Sequence, residues 1–428
     1  MVPRVRPPRT PTRAILLLAA LGTLAGCGAS TKASSLAGGE AFDPYPNPAP
    51  SSCPAATLDT LGRVVARVYH EGIESERTIV AKRLIERSLP LRHAVEADDA
   101  TATASAAEAL ISSGKLTTLR ITHDNHLLAA VGKPSLTPLQ GTLTDAKGKP
   151  IAIYLTSVWS DEGFVAESKG VGEGPVALRV GNSSVGGSFP LPAESLPSEG
   201  TVSVKGVSYQ YTSFEGEAFP SGALRVYLLK PSSLTHVLCG ASSEETIFNT
   251  LSRVAKLIYA GESGSRTLPQ VRRVQRNLPL LEAVAQRDPT ATLAAVRVLL
   301  HHHIVRLRVF GPGGEILADD GGPYVLAPVT APLRLQGRKI GRIELSIQDD
   351  EGYKRLTGRL AGLDVLMYMQ LNGRQQLVKN SLGPAPGDVP ASGSYTYRGK
   401  DFQVLTIDAK AFPSGTLTIR VLIPNPYR

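Results

Sequence analysis
The sequence predicts an α+β protein made of two tandem domains, each a long N-terminal helix pair packed on an antiparallel sheet. Three observations carry this. Short words recur in the same order at a nearly constant shift. Apolar residues at helical spacing open each copy. The hydrophobic period then changes to two.

The recurrence comes first. Leu89-Pro90-Leu91 returns as Leu278-Pro279-Leu280, and Ala94-Val95 as Ala283-Val284. Thr101-Ala102-Thr103 returns as Thr290-Ala291-Thr292, and Asp161-Glu162-Gly163-Phe164 as Asp350-Glu351-Gly352-Tyr353. Each pair lies 189 positions apart. Ala218-Phe219-Pro220-Ser221-Gly222 returns as Ala411-Phe412-Pro413-Ser414-Gly415 at a shift of 193. A unit of about 190 residues can bury its own core, which separates duplicated domains from solenoid repeats. The expected domains are residues 57–230 and 239–424.

Within each copy one order of elements is expected. A helix opens each, over 57–88 and 245–277. Leu58, Leu61, Val65, Val68 and Tyr69 share one face of the first, and Leu251, Val254, Leu257 and Ile258 one face of the second. Pro90 and Pro279 are expected to break these helices. An alanine-rich second helix follows, over 91–112 and 280–302. Residues 119–121 and 305–309 then alternate as strands. Gly311-Pro312-Gly313-Gly314 turns the chain into a strand at 315–318. Residues 340–347 form another strand, matched by 151–158. The Asp-Glu-Gly-aromatic word at its end opens a short helix, since acids in a first turn suit the helix dipole. Strands near 365–370, 395–398, 402–408 and 417–423 complete the sheet.

The N-terminus reads as a secretory signal peptide over residues 1–26. Arg4, Arg6, Arg9 and Arg13 precede the apolar run at 14–21, which is too short to span a bilayer. Leu24-Ala25-Gly26-Cys27 resembles the bacterial lipobox, in which the cysteine is diacylated and becomes the new N-terminus. The resemblance implies lipidation at Cys27 and an extracytoplasmic protein held at the cell membrane. Residues 27–56, rich in Gly, Ser, Ala and Pro, read as a tether. With Cys27 lipidated, Cys53 and Cys239 remain as an even pair in an oxidising compartment, and a disulfide between them is expected. The alternative is two separate buried thiols.

Composition excludes some functions. Removing the leader's four arginines leaves 42 basic residues against 37 acidic ones, a net charge of +5. The basic residues are scattered, so no nucleic-acid partner is expected. A single tryptophan, Trp159, argues against a carbohydrate-stacking surface. No zinc spacing, nucleophile elbow, metalloprotease motif or P-loop occurs, so neither an enzyme nor a cofactor is expected. His301-His302-His303 cannot converge on one metal from a regular helix. Asp98-Asp99, Asp319-Asp320 and Asp349-Asp350-Glu351 are expected to cap helices and shape turns.

The long first helix, residues 306–309, residues 315–319 and the run at 337–347 give the chain its resemblance to the Cache or PDC sensor family, extracellular relatives of PAS domains. The resemblance covers nearly all of 57–424 and rests on element order; the aromatic-arginine-tryptophan box of amino-acid sensors is absent. It implies that the long helix packs on one sheet face and that small ligands bind on the other. Ile343, Leu345 and Ile347 would face the helix. Arg342, Glu344, Ser346 and Gln348 would point away, as Arg306 and Arg308 do, and Tyr324 would close the pocket. Guanidinium groups there suit a small anionic ligand, a carboxylate or phosphate. The alternative is a solvated face of mixed charge.

Members of that family usually sit between two transmembrane helices and feed a signalling module. No second apolar segment is present, so sensing would need a membrane signalling partner. The first copy is the looser, with 170–187 rich in Gly, Ser and Val, so the second is expected to keep the ligand site and the first to act as a spacer. The competing reading is a structural or interaction lipoprotein of the cell envelope with no small-molecule site.

Overall fold
The computed structural model describes residues 52–425, apart from Ser188, Ser221, Glu262, Ser263, Ser265, Arg266, His301, His302, Pro323, Tyr324, Asn372, Ala385, Pro413 and Ser414. The leader, Cys27, most of the tether, His301, His302 and Tyr324 therefore lie outside the described residues.

Four helices open the first copy: α1 (Cys53–His70), α2 (Glu76–Glu86), α3 (Leu89–Glu96) and α4 (Ala100–Ser112). Polar caps set their starts. Ser52 accepts from the Ala55 N–H at α1, Ser75 and Thr78 make a reciprocal capping box at α2, and Ser88 and Asp99 cap α3 and α4. Strands β1 (Thr118–His123), β2 (His126–Gly132), β4 (Leu139–Thr144) and β5 (Pro150–Ser157) form an antiparallel sheet in the order β2-β1-β5-β4. The two-residue strands β3 (Ser135–Leu136) and β6 (Trp159–Ser160) pair with each other. Helix α5 (Asp161–Gly172) leads to a second sheet of β7 (Val176–Val180), β8 (Ser183–Gly187), β9 (Glu199–Val204), β10 (Val207–Glu217) and β11 (Ala223–Pro231), ordered β8-β7-β11-β10-β9.

The second copy repeats this. Its helices are α6 (Ser243–Gly261), α7 (Thr267–Gln275), α8 (Leu278–Ala285) and α9 (Pro289–Leu300). Its first sheet joins β12 (Arg306–Phe310), β13 (Ile316–Gly321), β15 (Val329–Leu335) and β16 (Arg338–Ser346) in the order β13-β12-β16-β15. Helix α10 (Asp350–Ala361) again carries the chain to a second sheet. That sheet takes in β14 (Val325–Leu326), β17 (Gln348–Asp349), β18 (Asp364–Leu371), β19 (Arg374–Asn380), β20 (Gly393–Tyr397), β21 (Lys400–Phe412) and β22 (Gly415–Pro424).

The α+β duplication is as expected, with four corrections. The long opening helices are each two helices. Residues 71–75, with the Ser75 cap, end α1 and start α2. Pro90 and Pro279 do not break a helix but sit in the first turns of α3 and α8, where a missing N–H costs nothing. Each copy holds two principal sheets rather than one, because α5 and α10 divide the strands.

The fourth correction concerns burial. Ile343 and Leu345 are fully buried, but against α7, α8 and α9. The long helix α6 packs instead on β21, β22 and α1.

The copies share one core. A single apolar cluster runs from Leu61, Val65 and Val68 of α1 through Leu251, Val254 and Ile258 of α6 to Tyr353, Val365 and Ile419. Gly62 lets α1 lie close on β10, since a Cβ there would come within 2.6 Å of the Thr212 methyl. Ion pairs cross between copies: Arg359 with Glu71, and Arg253 with Glu173, which also holds Lys230 of its own copy. The expected Cys53–Cys239 disulfide is present, with Cα atoms 5.5 Å apart and its ends 186 positions apart in the sequence. Closing a loop that long contributes up to about 5 kcal/mol by restricting the unfolded chain. Among the described residues no helix is long and apolar enough to cross a membrane.

Candidate functional site
The structure brings three of the five expected ligand residues together. Arg306 and Arg308 project from the same face of β12, and their neighbour on β13 is Asp319. Arg306 grips Asp319 with two bonds of 2.9 and 3.0 Å, and Arg308 with two of 3.0 and 2.6 Å. Glu344 of β16 stands 4.0 Å from Arg308. The Phe412 ring lies beneath both guanidinium groups, 5.2 and 4.8 Å from its centroid. Burial pushes the Asp319 carboxyl up, but the bonds from Arg306 and Arg308 outweigh it and hold the group below the usual range.

Two arginines thus meet two carboxylates, and the cluster is balanced from within. Arg342 stands apart, one strand pair along, stacked 3.7 Å over the Phe310 ring. Tyr324 lies outside the described residues. The acidic words have mixed roles: Asp99 and Asp349 cap α4 and α10, while Asp319 and Asp320 hold arginines.

A second location has a different character. The Asp-Glu-Gly-aromatic word opens α5 and α10 as expected, and its aromatic residue anchors each helix, Phe164 and Tyr353 being fully buried. In the second copy this corner is charge-paired. The Lys379 Nζ lies 3.1 Å from both Asp350 and Glu351, and Lys354 lies 2.8 Å from Glu351. Those lysines hold the Glu351 carboxyl below its usual range.

In the first copy the same corner is open. Asp161 is only 9% exposed, and its Oδ1 is buried without a hydrogen-bond partner. Burial, with the charge of Glu162 adding, pushes its carboxyl above the usual range. The position of Lys354 is Val165 at the shift of 189. Strand pairing identifies the counterpart of Lys379. Lys379 faces Met367, and Gly186 faces Leu178, which is 189 residues before Met367. A Cβ on Gly186 would lie 3.3 Å from the Asp161 Oδ2. A side chain there would therefore extend over the carboxylate, as that of Lys379 does over Asp350.

The space left is a cleft of about 480 Å³ lined by Lys133, Pro134, Asp161, Val165, Ala166 and Val185, among others. That volume falls in the range of small-molecule sites. Lys133, on its rim, is exposed and makes no ion pair with either acid among the described residues. This cleft escaped the sequence reading. The signal that could have found it is the loss of both lysines beside a word otherwise kept between copies.

No family model and no curated protein matches this chain. Among solved structures, the chain is similar to the periplasmic domain of Vibrio cholerae LuxQ at 10% identity and a TM-score of 0.27, over 42% of this chain and 98% of that one. It is also similar to the ligand-binding domain of the Pseudomonas fluorescens chemoreceptor CtaA in complex with L-isoleucine, at 14% identity and a TM-score of 0.22, over 44% and 97%. A third likeness is to an extracellular ligand binding receptor from Desulfohalobium retbaense, at 13% identity and a TM-score of 0.21, over 46% and 41%.

Proposed function
We propose that this chain is a lipid-anchored extracytoplasmic protein of two Cache/PDC-like domains that binds a small ligand, without catalysis and without a signalling output of its own. Its anchor is the lipobox cysteine, Cys27, and any signal passes through a membrane partner. The observation that carries the ligand-binding reading is the open cleft at Asp161, set against its filled counterpart at Asp350. An apolar-walled cleft of ligand size that ends on a buried, unpartnered carboxylate is a common form of small-molecule site. The ligand site is thus placed in the first copy. The sheet-face residues Arg306, Arg308 and Glu344 serve as an internally paired cluster beside Phe412.

The test is a thermal-shift screen of small metabolites on the oxidised full chain in detergent. A compound that raises Tm in the wild type and not in Ala166→Trp, which fills the cleft, supports the reading. Arg308→Lys and Arg342→Ile should keep the shift. If no compound raises Tm, or if the shift survives Ala166→Trp, the reading fails. The competing role, an interaction lipoprotein, is favoured by the shared core and the ion pairs that hold the copies as one body. It predicts an inert screen.

A further inference from the structure
We infer that the cleft of the first copy takes a small primary ammonium ligand with a short apolar body, its charged head meeting Asp161 and Glu162 where the Lys379 Nζ meets Asp350 and Glu351. The inference rests on the ligand-binding reading above and names the class of ligand.

The second copy supplies the template. There the pair of consecutive carboxylates at a helix start is bridged by one primary ammonium, 3.1 Å from each. The first copy keeps both acids, the helix start and the strand that should carry the cation, but has Gly186 in place of the lysine. The position of the second lysine, Lys354, is Val165. A buried carboxylate without a partner is costly, and an opposite charge delivered from solution removes that cost.

The chemistry selects among cations. Three N–H donors suit two carboxylates better than a quaternary ammonium, which has none. A divalent metal is poorly served, since no group of three or more metal-ligating side chains occurs among the described residues. The walls formed by Pro134, Val165, Ala166 and Val185 suit an alkyl body. The exposed Lys133 at the rim disfavours a ligand with a second positive charge.

The test measures Tm and calorimetric binding on the oxidised full chain in detergent. The probe is n-butylammonium, compared at equal ionic strength with tetramethylammonium, n-butanol and butyrate. Only n-butylammonium should bind, at one site per chain. Asp161→Asn keeps the shape and should weaken binding at least about ten-fold, the worth of a charged hydrogen bond. Gly186→Lys should abolish binding and raise the ligand-free Tm. Should that variant not fold, Lys379→Ala gives the reciprocal reading, its Tm partly restored by n-butylammonium and its stoichiometry rising to two.

Absence of n-butylammonium binding in the wild type, or unchanged binding in Asp161→Asn, overturns the inference. If n-butylammonium fails while a neutral or anionic compound raises Tm in a manner lost in Ala166→Trp, the cation inference falls and the ligand-binding reading stands. If the whole screen fails as well, both fall.

Discussion
The two copies balance charge differently, and the contrast is sharpest at two matched places. On the first sheet, the second copy carries Arg306, Arg308, Asp319 and Glu344 as one paired cluster. Strand register puts Thr118, Arg120, Ala130 and Leu155 at the same positions in the first copy. There both carboxylates and one of the arginines have gone together. At the helix start, the second copy again pairs its charges, Asp350 and Glu351 with Lys379 and Lys354. In the first copy the lysines have gone and the acids stay. The first change leaves a single half-buried arginine, Arg120, on that face. Charge removed from one side leaves a group that still needs a partner.

Swapping residues between the copies tests this contrast. The largest effect is expected from Asp319→Ala, which copies Ala130 into the second copy. It strands two guanidinium groups that are each less than one-fifth exposed, and it should cost about 2–4 kcal/mol in urea unfolding. Because the Asp319 carboxyl is held below its usual range, its contribution is complete above the ordinary aspartate pKa and is lost as pH falls through the depressed value. The variant should therefore lose part of the acid limb of the stability profile. An unchanged acid limb would remove Asp319 from the account.

Lys379→Gly is the next largest. It copies Gly186 into the second copy, uncovers Asp350, and should lower stability by about 1–2 kcal/mol by the same measurement.

Asp161→Asn runs the other way. It discharges an unpartnered carboxyl and should raise stability at pH 7 by about 0.5–1 kcal/mol. The Asp161 carboxyl is raised, so the folded state holds its proton longer than the unfolded one. Wild-type stability should fall as pH rises from the ordinary aspartate range through the raised value, and this slope should be absent in the variant. A variant less stable than wild type at pH 7 would mean that Asp161 has a partner after all. An effect of similar size and opposite sign belongs to Arg342→Ile, which copies Ile153 and removes a stacking contact at Phe310, about 0.5–1 kcal/mol.

Much of this fold is legible in the chain. The shift of 189 marks the duplication, the apolar stripe of α1 marks its buried face, and cysteine parity marks the disulfide. The division into two sheets is not legible, because alternation tells a strand from a helix but not which strand it pairs with. The start of α2 was visible in principle, as Ser75 with Thr78, yet the apolar spacing runs through it.

Strand alternation puts the arginines on one face, and only the register shows that Asp319 already satisfies them. The Asp161 corner was hidden for another reason. Its character comes from a residue that is missing, and beyond it the shift between copies drifts. A fixed shift of 189 sets Lys379 against Pro190, whereas strand pairing sets it against Gly186.

The Cys53–Cys239 bond has a mechanical consequence. It joins the first turn of α1 to the segment that enters α6, and these two helices lie against each other in the shared core. Tension arriving along the chain ahead of Cys53 is therefore delivered to both copies at the same moment. Without the bond, a pull on the N-terminal side would peel α1 away turn by turn, breaking few contacts at a time. With it, the load enters at the seam between the copies and is borne across many contacts at once. The bond is thus a clamp, and the stretch of chain it encloses is shielded from force applied at that end.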